Sequence, residues 1–249
     1  MRHALTFAAA FALTTAGLAV GAAAQNATAA ITAAVADPAR PADDVARDAE
    51  RKPAQIVAFA GVKPGDKVVE LMPGGGYFTR ILAKTVGPKG HVYGLVPEGF
   101  AKRPGVLDKL NALAAQYGNV SIVATDLDSF KVPEPVDVVW TSENYHDFHN
   151  GPSANIAGLD KSAFAALKPG GIFYIEDHAA AKGAGITTTS TLHRIDPEAA
   201  ISEVEAAGFR LDGRSNVLAN PSDPHDKAVF DPSIRGKTDK FALRFRKPG

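Results

Sequence analysis

An α/β fold built on a doubly wound, mostly parallel sheet is predicted by three observations. Short apolar runs alternate with helix-period runs from residue 67 to 210, the pattern of successive βαβ units. A glycine-rich turn, Met72-Pro73-Gly74-Gly75-Gly76, separates the first apolar run from the helical pattern after it. A second turn, Lys168-Pro169-Gly170-Gly171, leads another helical stretch back into a buried strand.

The elements follow in order. Residues 37–61 read as two short helices broken at Pro53, with Ile56, Val57, Phe59 and Ala60 on the apolar face of the second. Lys63-Pro64-Gly65-Asp66 turns the chain into a strand, Lys67 to Leu71, and Phe78 to Val86 returns to helical spacing. Gly87-Pro88-Lys89-Gly90 turns it again into a strand from His91 to Val96. Val106 to Tyr117 is a helix with Val106, Leu107, Leu110 and Leu113 on one side. Val120 to Ala124, Val136 to Thr141 and Ile172 to Glu176 are the next strands, with helix from Ser162 to Leu167 before the last. Asp196 caps a helix starting at Pro197 and running to Ala207, and Phe241 to Arg246 is a closing strand. Residues 220–239 lack periodicity; so long a connection serves as a lid or stays disordered, and Val229, Phe230 and Ile234 favour order through burial.

Composition narrows the function. At 249 residues the chain suits one α/β domain, and 27 basic against 27 acidic residues leave no global field for nucleic acid or an anionic membrane. Without cysteine there is no disulfide and no thiolate nucleophile or ligand. Arg2 and His3, the apolar run Ala4 to Val20 and the small residues Ala22-Ala23-Ala24 have the layout of a secretory signal peptide, the alternative being an uncleaved anchor. The expected organisation is therefore a signal peptide over 1–24, a flexible lead-in or frayed helix over 25–36, and one domain over 37–249. In that domain 37–61 is a helical cap and 220–239 covers the site. The mature protein is expected to be exported and periplasmic, without membrane association; its oligomeric state is not legible.

In an open parallel sheet, ligands sit beyond the carboxyl ends of the strands where strand order reverses. The first exit, Glu70 to Tyr77, joins an acid, a glycine turn and a helix N-terminus. Glu70 to Gly76 resembles the acidic, glycine-rich first motif of the class I S-adenosylmethionine-dependent methyltransferases, with Met72 in place of its first glycine. Thr125-Asp126-Leu127, Pro135 to Trp140 and Ala166 to Phe173 are similar to the motifs of the third, fourth and fifth strands. The mature chain also resembles a group of exported bacterial predicted methyltransferases, through Arg47-Asp48, the Pro-Gly-Gly-Gly turn and the stretch from Phe230 to Asp239.

The resemblance implies a Rossmann-like sheet of seven strands, the last antiparallel, S-adenosylmethionine as cofactor and a small-molecule acceptor. It places the cofactor on Glu70, Gly74, Gly75, Gly76, Tyr77, Asp126, Leu127 and Asn144. The acid that normally ends the second strand and grips the ribose is Val96 here, so Glu98, two residues on, is the candidate for that contact.

Five of the seven histidines (His146, His149, His178, His193 and His225) fall on or near the predicted ligand face. Tyr145, His146 and Asp147, on the loop after the fourth strand, are the candidate catalytic residues, with Tyr145 or His146 as base and Asp147 or Glu176 orienting it. No metal site is assigned. Two alternatives stay open: a non-catalytic small-ligand-binding protein on this fold, and a metal-assisted enzyme using the histidines.

Overall fold

Strand β1 (Lys67–Leu71) sends Val68 to one apolar core and Val69 and Leu71 to another, so it needs cover on both faces. The computed structural model, which describes residues 25–152 and 154–249, supplies it as helices on either side of one sheet. The expected signal peptide lies outside the described residues. Before β1 come α1 (residues 25–35), α2 (Ala42–Val45), α3 (Asp48–Arg51) and α4 (Pro53–Ala60). After it come α5 (Tyr77–Val86), β2 (His91–Pro97), α6 (Glu98–Ala101), α7 (Val106–Tyr117), β3 (Val120–Thr125) and β4 (Val136–Ser142). A 3₁₀ turn (Tyr145–His149), α8 (Ile156–Ala166), β5 (Leu167–His178), α9 (Pro197–Ala206), β6 (Arg210–Ser215) and β7 (Lys240–Arg246) complete the order.

The sheet runs β3-β2-β1-β4-β5-β7-β6. β7 is antiparallel to both its neighbours and every other pair is parallel, as expected of a doubly wound sheet with one reversed strand. Ile31, Ile56, Ile81, Leu82 and Leu113 pack on one face around Trp140, whose ring stacks on Tyr174 at 4.2 Å. Leu159, Ala163, Ile201 and Val204 cover the other.

Four expectations change. Residues 25–35 are helical, with Ile31 and Ala34 buried in the first core, so this stretch is held in place and is no flexible lead-in. α8 begins at Ile156, where the Asn155 side chain accepts from the Gly158 amide at 3.0 Å and caps a first turn that Gly158 and Asp160 disguise. β5 starts at Leu167, through the expected turn. In the irregular segment 220–239, Val229 is buried but Phe230 is 59 % exposed. That segment is fastened by polar contacts instead, chiefly the Asp223 carboxylate, which takes Arg194 and the amides of His225 and Asp239. Among the described residues no helix is long and apolar enough to cross a membrane.

Gly76 precedes α5 at φ +82°, and a Cβ there would overlap Leu113 Cδ1. Gly76→Ala is expected to cost about 1–3 kcal/mol, from the left-handed backbone and the displaced Leu113, measured by denaturant unfolding.

Candidate functional site

Strand order reverses at β1, which pairs with β2 on one side and β4 on the other. Two cavities open at these strand ends, and Met72 lines both. Met72 holds φ +52°, a conformation glycine adopts freely and a methionine only under strain. This is the position where the resembling motif has glycine.

The smaller cavity, about 210 Å³, lies over the Trp140 face of the sheet. Glu70, 3 % exposed and next to last in β1, lines its wall and accepts from Thr79 Oγ1 at 2.6 Å; burial pushes its carboxyl up to about 7. Gly74 and Gly75 form the rim, while Gly76 lies behind as the helix cap. Tyr77 lines it too, its hydroxyl donating to Asp48 Oδ1 at 2.6 Å beneath the guanidinium groups of Arg40, Arg47 and Arg51. Asn144 donates to the carbonyls of Met72 and Ser142, tying the β4 exit to the glycine turn. Arg51, missed by sequence reasoning, is buried against Tyr77 and Phe78 and reaches Glu143 at 2.8 Å and Ser142 Oγ at 3.0 Å. Burial alone would raise Glu143, but Arg51 and Lys240 overcome it and hold the carboxyl at about 2. Trp140 Nε1 and Arg51 Nε, both buried, have no hydrogen-bond partner among the described residues.

The larger cavity, about 800 Å³, lies beyond the ends of β2 and β3. Glu98, at the start of α6, lines it together with Phe100, Asp126 and Leu127. Val96 itself is buried, so Glu98 is the acid that the second-strand exit offers. Asp147, Phe148 and His193 line it as well.

The histidines divide. His149 pairs with Glu203 at 3.0 Å and His225 with Asp239 at 3.0 Å, both away from the cavities. His178 meets Thr238 Oγ1 at 2.8 Å, and burial pushes it down to about 4. His146 and His193 come together, Nε2 to Nδ1 at 3.3 Å, and each lies 3.3 Å from Asp147 Oδ1.

Two catalytic expectations are corrected. Tyr145 is fully buried in the second core and gives its hydroxyl to Asp160 Oδ2 at 3.0 Å; it lines neither cavity, and burial beside Asp160 pushes its hydroxyl far up, so it is no base. The acid that orients His146 is Asp177, whose Oδ1 accepts from His146 Nδ1 and whose Oδ2 accepts from the His146 amide, each at 2.7 Å. Glu176 points to the other face, where it accepts from Ser142 Oγ at 2.8 Å and faces Arg51 and Lys240. Burial alone would lower His146, but Asp177 and Asp147 overcome it and hold the ring at about 10. While its second proton is held, the ring offers no lone pair as a general base; its Nε2 is free to donate one only where another cation takes the proton's place.

No protein-family model matches the sequence. A stretch of 75 residues, 29 % of this chain, is 40 % identical to a protein-L-isoaspartate O-methyltransferase of Ignicoccus hospitalis; the match spans 33 % of that protein's length. Among solved structures, a SAM-dependent methyltransferase from Aquifex aeolicus superposes with a TM-score of 0.52 at 18 % identity, over 78 % of this chain and 88 % of that one. The [4+2]-cyclase SpnF gives 0.60 at 17 % identity, over 80 % and 81 %. The second of these carries different chemistry on the same scaffold, so the likeness speaks to architecture. This chain has the Rossmann-like fold of the class I methyltransferases.

Proposed function

We propose that this protein transfers a methyl group from S-adenosylmethionine to a small-molecule acceptor. One observation carries the proposal: the cavity at the switch point presents both signs of charge around the glycine turn, Asp44 and Glu70 with Arg47 and Arg51. An amino-acid zwitterion needs that combination, an acid for the ammonium and a guanidinium for the carboxylate. The free Trp140 Nε1 and Arg51 Nε add donors for an incoming acceptor atom. Across Met72, Glu98 suits ribose hydroxyls, Asp126 an adenine amino group, and Phe100 and Leu127 the flat faces of the base.

Bound there, S-adenosylmethionine supplies a methyl group on a positively charged sulfur, reactive toward a nucleophile without covalent help. The residues' task is alignment and exclusion of water. Met72 sits where the two cavities meet, and the wall of Asp147, Phe148 and His193 faces the acceptor side. Phe230, packed on the His193 ring with centroids 4.8 Å apart, supports 220–239 as the cover of that side. The partial likeness to the isoaspartate O-methyltransferase and the fold support the same reaction class. Export through residues 1–24 belongs to this proposal and is checked by N-terminal sequencing of protein recovered from the periplasm.

Isothermal titration with S-adenosylmethionine and S-adenosylhomocysteine tests the reading. Binding is expected, weakened about tenfold or more by Glu98→Ala and by Asp126→Ala, about 1.4 kcal/mol each at least. A folded chain that binds neither compound sinks it. The second reading, a ligand carrier without catalysis, draws on Met72, which lines both cavities in place of the motif's glycine; retention of S-adenosylhomocysteine with no methyl transfer to any of a panel of phenols, amines and carboxylates would favour it.

A further inference from the structure

His146 Nε2, Asp147 Oδ1 and His193 Nδ1 form an equilateral triangle with sides of 3.3 Å. Ligand atoms around a tetrahedral zinc ion, at bonds of about 2.0–2.1 Å, stand about 3.3 Å from one another. From this match we infer a divalent transition-metal site, with zinc as the fitting ion, held by His146, Asp147 and His193.

The surroundings are those of a metal ligand set. Asp177 accepts the Nδ1–H of His146 at 2.7 Å, which fixes the ring and directs Nε2 at the triangle. The same carboxylate accepts from the amides of His146 and His178, so it is itself immobilised. A carboxylate behind a histidine ligand is the usual outer partner of such a site. Nε2 then faces a carboxylate oxygen and a second imidazole nitrogen, a contact that is favourable only with a cation among them, whether a shared proton or a metal ion. His193 reaches the triangle from a backbone at φ +55°, an arrangement costing about 1–2 kcal/mol for a histidine. The adjacent Arg194, bound to Asp223 and to the carbonyls of Ala179 and Lys227, holds that strained loop in place. Strain fixed in this way gathers at functional positions.

Three protein ligands leave a fourth position open, and Asp147 and His193 line the larger cavity. The ligand class is therefore a molecule from that cavity bearing a hydroxyl or carboxylate oxygen that binds the metal as an anion. The assignment of that ligand as the methyl acceptor rests on the methyltransferase reading; the metal site does not.

The test uses the purified, tag-free chain after chelator treatment, titrated with zinc chloride by calorimetry and with cobalt chloride by visible absorption. One zinc ion per chain is expected, and the cobalt form should show the intense d–d bands of a tetrahedral site. His193→Ala, a partly exposed position that leaves the core intact, is expected to weaken zinc by more than about 100-fold, and Asp177→Asn by about 10–100-fold. Catechol added to the cobalt protein should shift the bands through the fourth position. Zinc binding unchanged in His193→Ala, or absent from the folded native chain, overturns the site and leaves a hydrogen-bonded trio. S-adenosylhomocysteine titrated into the same samples separates the two proposals: its binding without zinc removes only the metal, and zinc without its binding removes only the methyltransferase.

Discussion

Arg194→Ala is expected to destabilise the protein by about 3–5 kcal/mol, the scale for breaking a buried ion pair from one side. Both side chains of the Arg194–Asp223 pair are completely shielded from solvent. The guanidinium spends its donors on both Asp223 oxygens, at 2.8 and 3.1 Å, and on the carbonyls of Ala179 and Lys227. Truncation leaves a buried carboxylate without its cation and two carbonyls without a donor. For a chain of this size the loss corresponds to a drop in Tm of roughly 6–20 °C. Arg214→Ala, which breaks an exposed pair with Glu198, provides the contrast and should change stability by less than about 1 kcal/mol. A loss of that small size for Arg194→Ala would show that the pair does not fasten the segment 220–239.

The second large effect depends on pH. Glu70 has its carboxyl raised from 4.5 to about 7 by burial, against the opposing pull of Thr79, Arg51 and Arg80. Because the folded value exceeds the unfolded one, the stability Glu70 contributes is complete below about 4.5 and is lost as pH rises through about 7. At about 1.4 kcal/mol per unit, the loss comes to about 3–4 kcal/mol. Glu70→Gln keeps an acceptor for Thr79 but carries no charge. It should match the native chain in acid and exceed its stability by about 3–4 kcal/mol above neutrality and, on the proposed function, bind S-adenosylmethionine more weakly. Denaturant titrations of both chains across this range check it; a difference that does not change with pH would refute it.

The strands were legible because residues buried on both faces, such as Val68-Val69 and Val138-Val139, leave a continuous apolar run that needs no partner to be noticed. β6, reading RLDGRS at the sheet edge, has no such run, and only the resemblance called for a strand there. In the site, the glycine turn and the acids Glu98 and Asp126 are visible because turn chemistry and strand exits are local. The errors arose where direction matters. Glu176 and Asp177 are neighbours on β5, and the two-residue period of a strand sends them to opposite faces, one to Arg51 and the other to His146. Alternation through Tyr174 and Ile175 would have separated them. Arg51 stayed hidden because its partners, Ser142 and Glu143, are some ninety residues away, and nothing local marks such a contact.

The place of β7 between β5 and β6 has a consequence for how the chain is made. A polypeptide emerging from the ribosome can assemble the five parallel strands from β3 to β5, but β5 then ends the sheet with its outer backbone groups unpaired until residues 240–246 arrive. Only then does β6 gain a neighbour, because among the described residues it pairs with β7 alone. Between the synthesis of β5 and that of β7 the nascent sheet thus carries an open edge, the kind of surface on which chains join one another wrongly. Removing residues 240–246 would leave that edge of β5 open and β6 unpaired.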